Sequence, residues 1–376
     1  ILYHEYAHHF LYGLTARVFP RWFVEGYAEF FASARFKPDG SVGLGAPALH
    51  RAPERVHGRS VPIRRMLEFD GGADPSKTSY DSFYGQSWLL FHHLMSEPTR
   101  SGQLVQYEKL LSAGKPALEA ATSAFGDLDQ LEKDLGRYQE RREMSYLSVG
   151  SKAIKIGAIS VRALRPGETA MMPVRIQSRL GVDSDEAMAL LPEARRVAAL
   201  HADDPAVLAS LAEAEYDAGN EDAAIAAADA ALAINPGEID AHIQKGFALY
   251  SKAKRDGAPK EVWQEARSQF VRANKVENDH PIPLFWYYLT FAVQGETPTK
   301  NAVAGLEWAM ELAPFDPTLR WAVAQQMISD QRLEDAARTL APLAYSPHPG
   351  EHTGQALALL KEVEARLASA QEPVGD

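Results

Sequence analysis

The most regular pattern of apolar and polar positions lies between residues 183 and 345, where alanine and leucine recur with a period of 34 residues. Gly246 follows Ala212 by one period, and Ala336 follows Ala302 by the same distance. Small residues at such positions let two helices approach, while large residues fill the groove to the next pair. The pattern therefore predicts stacked helix pairs.

This spacing resembles the tetratricopeptide repeat (TPR), whose unit is a helix pair of 34 residues. Four units can be aligned, with Pro236 and Pro314 closing the first and third. The second unit fits if eight extra residues are allowed near 252–262. A capping helix is predicted over residues 353–370. The resemblance implies an α-solenoid over residues 183–376.

Residues 1–150 are rich in aromatic side chains and show helical spacing at both ends. The segment 37–82 carries many Gly, Pro, Ser and Asp residues, which predicts a loop. Near the end of this part, apolar side chains recur every three or four residues and predict an amphipathic helix: Leu128, Leu131, Leu135 and Tyr138.

Residues 151–182 form a third zone, in which two β-prone apolar runs flank Pro166-Gly167. Such runs around a Pro-Gly pair predict a β-hairpin, here a small connector. The predicted fold class is thus mainly α, with a helical domain at 1–150, a hairpin at 151–182 and helical repeats at 183–376.

Charge is divided unevenly along the chain, whose net charge is −11. Residues 1–182 hold 23 Lys and Arg against 19 Asp and Glu, whereas residues 183–376 hold 16 against 31. The acidic second half argues against nucleic-acid binding, which requires clustered cations, and favours a basic partner. The chain has no cysteine, which excludes disulfides and thiolate sites, and no apolar run long enough for a membrane span.

The residues with the clearest chemistry stand at the start, where His4-Glu5-x-x-His8 forms an HExxH motif. A spacing of four places both imidazoles on one face of a helix, one turn apart, so both can bind one ion. Glu5 lies beside them and can reach a metal-bound water as general base. Because the motif begins at the fourth residue, we expect the chain to be a fragment that lacks an N-terminal part.

A second predicted helix, Pro20 to Phe31, supplies a third ligand. Glu25 follows His8 after 16 residues, which allows a turn and a helix that passes the same ion. Three protein ligands leave the fourth position of a catalytic zinc open. Glu29, one turn beyond Glu25, is placed to orient a ligand imidazole, and Gly26 would let another backbone come close.

These two segments together resemble the gluzincin metallopeptidases, in particular the peptidase MA-like group related to the M1 aminopeptidases. The resemblance covers residues 1–140 and implies a zincin-type catalytic domain, with Zn²⁺ bound by His4, His8 and Glu25. It also implies a hydrogen bond from Tyr84 to the oxyanion, although the nearby Tyr80 could take that place. Proteins of this architecture are often exported by bacteria, but no residue here indicates a compartment.

Other charged and aromatic residues have simpler interpretations. His9 points away from His8 and is interpreted as a packing residue or an outer partner of a ligand. His92 is interpreted as a core or surface histidine, with the cleft as the alternative. The arginines of the 37–82 segment read as a solvated basic loop: Arg51, Arg55, Arg59, Arg64 and Arg65.

The sequence-based interpretation is zinc-dependent hydrolysis of peptide bonds in a peptide or protein substrate, with a protein partner on the concave face of the repeats. Exopeptidase and endopeptidase activity cannot be separated. Two alternatives stay open. One is a non-catalytic TPR scaffold with a vestigial or structural zinc domain, and the other is a hydrolase of amides or esters outside proteins.

Overall fold

The computed structural model describes residues 1–14, 19–68, 82–113, 115–256, 259–345 and 353–371, and these are mainly helical. The helices of the first part are α1 Leu2–Leu14, α2 Arg21–Ala32, α3 Ala52–His57, α4 Ile63–Glu68, α5 Phe83–Ser96, α6 Gln103–Ser112, α7 Ala117–Phe125 and α8 Leu128–Gln139. Those that follow are α9 Pro166–Leu180, α10 Ser184–Leu200, α11 Pro205–Asp217, α12 Glu221–Ile234, α13 Ile239–Asp256, α14 Lys260–Val276, α15 Pro281–Ala292, α16 Lys300–Leu312, α17 Pro317–Ser329, α18 Leu333–Ala344 and α19 Thr353–Gln371. Among the described helices, none combines the length and apolar character that a membrane crossing requires.

A small antiparallel sheet has the order β1-β2-β3, with β1 Arg35–Phe36, β2 Val42–Leu44 and β3 Leu147–Val149. Val42 pairs with Val149, so the sheet joins the segment after α2 to the segment after α8. The buried His92 of α5 supports this join, because its Nε2–H donates to the Ser145 carbonyl at 2.9 Å and its Nδ1 accepts from Tyr138 at 2.8 Å. Of the places considered for His92, the structure shows the core.

Two compact units make up the chain: residues 1–157 with 314–376, and residues 158–313. In the first unit, α2 packs on α1 and α5, and most of its side chains are buried. The predicted apolar face of α8 is also buried in this core, which confirms that helix. The loop prediction for 37–82 is correct only in part, because the described residues of this segment include β2, α3 and α4. The domain boundaries predicted from the sequence stay a prediction.

Gly26 sets the closest approach between α2 and α5. A Cβ atom at this position would lie 2.6 Å from the Ser87 carbonyl oxygen and 2.9 Å from the Phe91 Cβ. Such separations are too short for real contacts, so only glycine lets the two helices cross at this distance. The expectation that Gly26 admits another backbone is therefore confirmed.

We expect Gly26→Ala to lower the free energy of unfolding by about 1–3 kcal/mol, the usual effect of inserting a methyl group into a packed core. Gly136→Ala in α8 is a matched control, because no described atom lies within 4 Å of its added Cβ. That control should stabilise the helix by up to about 1 kcal/mol. Urea unfolding of both variants measures the difference, and equal stabilities would contradict the close crossing.

The second unit is built from helix pairs, which are α9 with α10, α11 with α12, α13 with α14, and α15 with α16. The first helices of neighbouring pairs also pack together, as α9 does on α11 and α11 on α13. This is the layered packing of a helical repeat. Within the other unit, α17, α18 and α19 pack in succession, and α19 is the predicted capping helix.

The predicted β-hairpin at 151–182 is wrong. Residues 154–165, all described, form neither helix nor strand, and α9 occupies the place of the second strand. Pro166 stands at the first helical position and the Glu168 side chain accepts from the Arg165 backbone N–H, so the expected turn is a capped helix start. Met171 and Val174, three residues apart, are buried on one helical face. An additional helix pair thus precedes the four predicted units.

Candidate metal centre

Two helices bring three possible metal ligands together. The Nε2 atoms of His4 and His8, both on α1, lie 3.0 Å apart. The Oε2 atom of Glu25 on α2 lies 3.4 Å from the first of these nitrogens and 3.5 Å from the second. The two histidines lie one turn apart on α1, and α2 crosses beside them. The three donor atoms therefore form one small triangle.

The size of this triangle suits zinc. Bonds of 2.0–2.2 Å to nitrogen and oxygen in a tetrahedral site separate the donor atoms by about 3.3–3.6 Å. The three measured separations fall at or close to that range. Two imidazoles and one carboxylate are also the donor set of an open, catalytic type of zinc site. The residues present fit the ion, so His4, His8 and Glu25 are the residues that would hold it.

Glu29 occupies the position behind His4 that the sequence predicts. Its Oε1 atom lies 3.1 Å from the Nδ1 atom of His4, and its side chain is fully buried. Arg51 donates to the same oxygen from Nε and Nη2 at 2.8 and 2.5 Å, and His50 contacts the other oxygen at 2.7 Å. Because Glu29 holds the Nδ1 atom of His4, the Nε2 atom of the same ring is directed toward Glu25.

The electrostatics of the cluster are dominated by these contacts. Hydrogen bonds with Glu25 and Glu29 raise the pKa of His4 to about 9. Burial opposes ionisation of both glutamates. Hydrogen bonds from His4 and His8 outweigh this effect at Glu25, and hydrogen bonds from His4 and Arg51 outweigh it at Glu29. Both pKa values are therefore lowered to about 2. The two carboxylates thus favour a positive charge at His4, so a proton and a metal ion compete for this imidazole.

Tyr84 lies at the edge of the same cluster, in the first turn of α5. Its ring centroid is 6.4 Å from that of His4, and its hydroxyl oxygen accepts a hydrogen bond from Arg21 Nη2 at 3.2 Å. Since the oxygen is the acceptor in that bond, the hydroxyl proton can be donated elsewhere. Tyr80, the other tyrosine considered, lies outside the described residues.

Glu5 is exposed on α1, between the two histidines in sequence. It contributes no atom to the ligand triangle. His9, which follows His8, is also exposed, and its ring packs on Phe315 at 4.7 Å. The predicted packing role of His9 is thereby confirmed.

Three residues of the centre were missed. Arg51 was expected in a solvated loop, yet its side chain is bound to the buried Glu29, so that prediction is wrong. His50 joins the same carboxylate, and no local pattern signals either contact because 21 and 22 residues separate the partners. The ring of Tyr12 stacks on His8 at 6.2 Å, which the spacing of four residues on α1 could have indicated.

Comparison with protein families gives a match over residues 1–118, to a model described as "Protein of unknown function (DUF1570)". No curated protein matches this chain.

Solved structures with similar folds include a thermophilic TPR protein of Thermus thermophilus, at 20% identity and a TM-score of 0.41, over 53% of this chain and 99% of that one. MamA (41-end) of Desulfovibrio magneticus RS-1 matches at 14% identity and a TM-score of 0.36, over 53% and 96% of the two chains. Yeast Tom70 matches at 13% identity and a TM-score of 0.34, over 85% and 67%.

The predicted membership in the gluzincin metallopeptidases is wrong. The family model that matches residues 1–118 is one of unknown function and not a gluzincin model. The TPR part of the prediction agrees with the helix pairs of the structure itself.

Proposed function

We propose that this chain is a TPR-type protein that binds other proteins through its helical repeats. The observation that supports this is the packing of the first helices α9, α11, α13 and α15 in succession, which forms one extended surface from four helix pairs. Repeats of this kind present their first helices as a binding surface for an extended segment of a partner.

Aromatic rings run along this surface. The ring of Phe247 on α13 lies 5.7 Å from that of Tyr216 on α11 and 4.5 Å from that of Trp286 on α15. All three side chains are half-buried, so each still offers part of its ring. Aromatic side chains of this kind are the usual anchors of protein interfaces. We therefore place the partner's apolar side chains at these rings.

The charges at the α9 end of the surface are already balanced. Arg179 pairs with Glu213 at 2.9 Å and with Asp240 at 3.2 Å, and Arg175 pairs with Asp240 at 3.0 Å. The acidic balance of the second half therefore does not by itself select a basic partner here, and apolar recognition is the better expectation.

Panning a displayed peptide library against the full chain tests this proposal. We expect the selected peptides to bind about tenfold more weakly to Phe247→Ala, the loss typical of one interface anchor. Leu232→Ala, which removes a half-buried side chain from the second helix α12, is the matched control and should keep the wild-type affinity. Peptides that bind both variants equally well would contradict the assigned surface.

We further propose that the cluster of His4, His8 and Glu25 is a zinc centre that hydrolyses amide bonds. Support comes from the three donor separations, which suit a tetrahedral zinc ion with an open fourth position. A zinc ion held there supplies a water that is activated at neutral pH.

Three side chains besides the ligands take part in the proposed reaction. Glu5, exposed beside the ligands, takes a proton from the attacking water and returns it to the leaving amine. The Tyr84 hydroxyl donates a hydrogen bond to the carbonyl oxygen of the substrate as charge develops there. Glu29 keeps the His4 ring in the orientation that the ligand role requires.

Removal and return of the metal test this second proposal. Protein incubated with zinc should cleave members of a quenched fluorescent peptide library, lose this activity in a chelator, and regain it when zinc is added in excess. A parallel panel of small amides and esters separates peptide hydrolysis from other acyl hydrolysis. Absence of cleavage across both sets by zinc-loaded protein would leave the repeats as the working function.

A further inference from the structure

Arg51 links two parts of the candidate centre that come from different elements. It ends the short 3-10 helix Leu49–Arg51, and its side chain is only 25% exposed. Nε and Nη2 donate to Glu29, while Nη1 donates to Glu54 Oε1 at 2.6 Å. One planar guanidinium therefore holds two carboxylates at fixed positions.

The first of these carboxylates controls His4. Glu29 is fully buried, and its Oε1 atom is shared between Arg51 and the Nδ1 atom of His4. A buried carboxylate is stable only when its charge is paired and its oxygens accept hydrogen bonds. Arg51 supplies a permanent positive charge and two of these hydrogen bonds, and the remaining contacts come from His4 and the half-exposed His50. The orientation of the His4 ring thus depends on Arg51 through one intermediate group.

The second carboxylate controls the start of α5. Glu54 Oε2 accepts a hydrogen bond from the Gly85 backbone N–H at 3.2 Å, next to Tyr84 in sequence. The Arg51 guanidinium also lies over the Tyr84 ring, with its central carbon 4.7 Å from the ring centroid. Such a contact fixes the plane of the ring as well as its distance. The same arginine therefore constrains Tyr84 from two sides.

We propose that Arg51 is a positioning residue that holds both His4 and Tyr84 in the geometry of the zinc centre. This inference rests on the proposed zinc-dependent function. It differs from a purely structural role, since a structural arginine stabilises the fold without changing how a bound metal ion is surrounded.

Arg100 provides the structural comparison. It bridges helices in the same unit, pairs with Asp134 at 2.8 Å and donates to the Phe125 carbonyl at 3.3 Å, and its side chain is 13% exposed. None of these partners belongs to the described zinc centre. Arg100→Met therefore removes a comparable buried guanidinium without touching the site.

The test measures zinc affinity by competition with a chromophoric chelator, and the visible absorption of Co²⁺ bound in place of zinc. We expect Arg51→Met to bind zinc about 10–100-fold more weakly, the range for loss of a group that orients a ligand, and to shift the Co²⁺ bands. Arg51→Lys keeps the charge but not the planar guanidinium, so its zinc affinity should lie between those of wild type and Arg51→Met. Arg100→Met should lose stability but keep the wild-type affinity and spectrum.

Three results would overturn the inference. If wild type and Arg51→Met bind zinc equally and give the same Co²⁺ spectrum, Arg51 has no positioning role, although the zinc centre stands. If wild type binds neither metal, the proposed centre itself fails and takes the role of Arg51 with it. Should Arg51→Met not fold, Arg51→Lys decides, and wild-type zinc affinity and Co²⁺ spectrum in that variant would count against the proposal.

Discussion

Protein purified and incubated with zinc is expected to hold about one zinc ion per chain, and Glu25→Ala to hold much less. The reason is geometric. His4 and His8 lie on one helix and can supply only two donors, so the carboxylate on α2 completes the set. Changes to groups that only orient a ligand typically weaken metal binding by about 10–100-fold. Loss of a ligand itself should therefore weaken zinc binding by at least about 100-fold. Elemental mass spectrometry after extensive dialysis measures the content.

Glu97→Ala is the matched control for this loss. Glu97 is a carboxylate of the same unit that pairs with Arg141 at 2.7 Å, away from the triangle of donors. The control should retain zinc as wild type does, and circular dichroism should show both variants folded. Equal zinc in Glu25→Ala and wild type would mean that the ion lies elsewhere, while zinc in neither would refute the centre and leave the helical repeats as the function.

The elements with a strong local period were predictable from the sequence. The helix pairs repeat small residues such as Ala212 and Ala336, both fully buried, at a spacing that only packed helices require. The ligand triangle was predictable for a related reason. The spacing of His4 and His8 fixes one helical turn, and the apolar surroundings of Glu25 place its helix in the core.

The parts that could not be predicted depend on a choice between local conformations or on contacts between distant segments. Pro166 and Gly167 are as typical of a turn as of a helix start, and the capping contact of Glu168 decides for the helix. Arg51 reads as a solvated side chain in a polar segment, and only the fold brings it to Glu29. Periodicity describes one element at a time, so it contains no information about such pairings.

Substitution of Glu5 by glutamine is expected to abolish most of the hydrolysis that zinc-loaded protein shows, while zinc binding is kept. Glu5 contributes no atom to the triangle of donors, so the ion should be held as before. Glutamine keeps the size of the side chain but cannot accept a proton. Loss of a general base typically slows turnover by about 10²–10⁴-fold. Rates on the best library peptide, measured together with zinc content, separate these two effects.

The neighbour of the other ligand gives the control. His9 follows His8 as Glu5 follows His4, it is exposed, and it packs on Phe315 rather than toward the centre. His9→Gln should therefore cleave at the wild-type rate. Unchanged cleavage by Glu5→Gln would remove the general base from the mechanism, and loss of zinc together with activity would assign Glu5 to metal binding. Only loss of turnover with retained zinc distinguishes a working hydrolase from a structural zinc site, because a structural site has no use for a base beside its ligands.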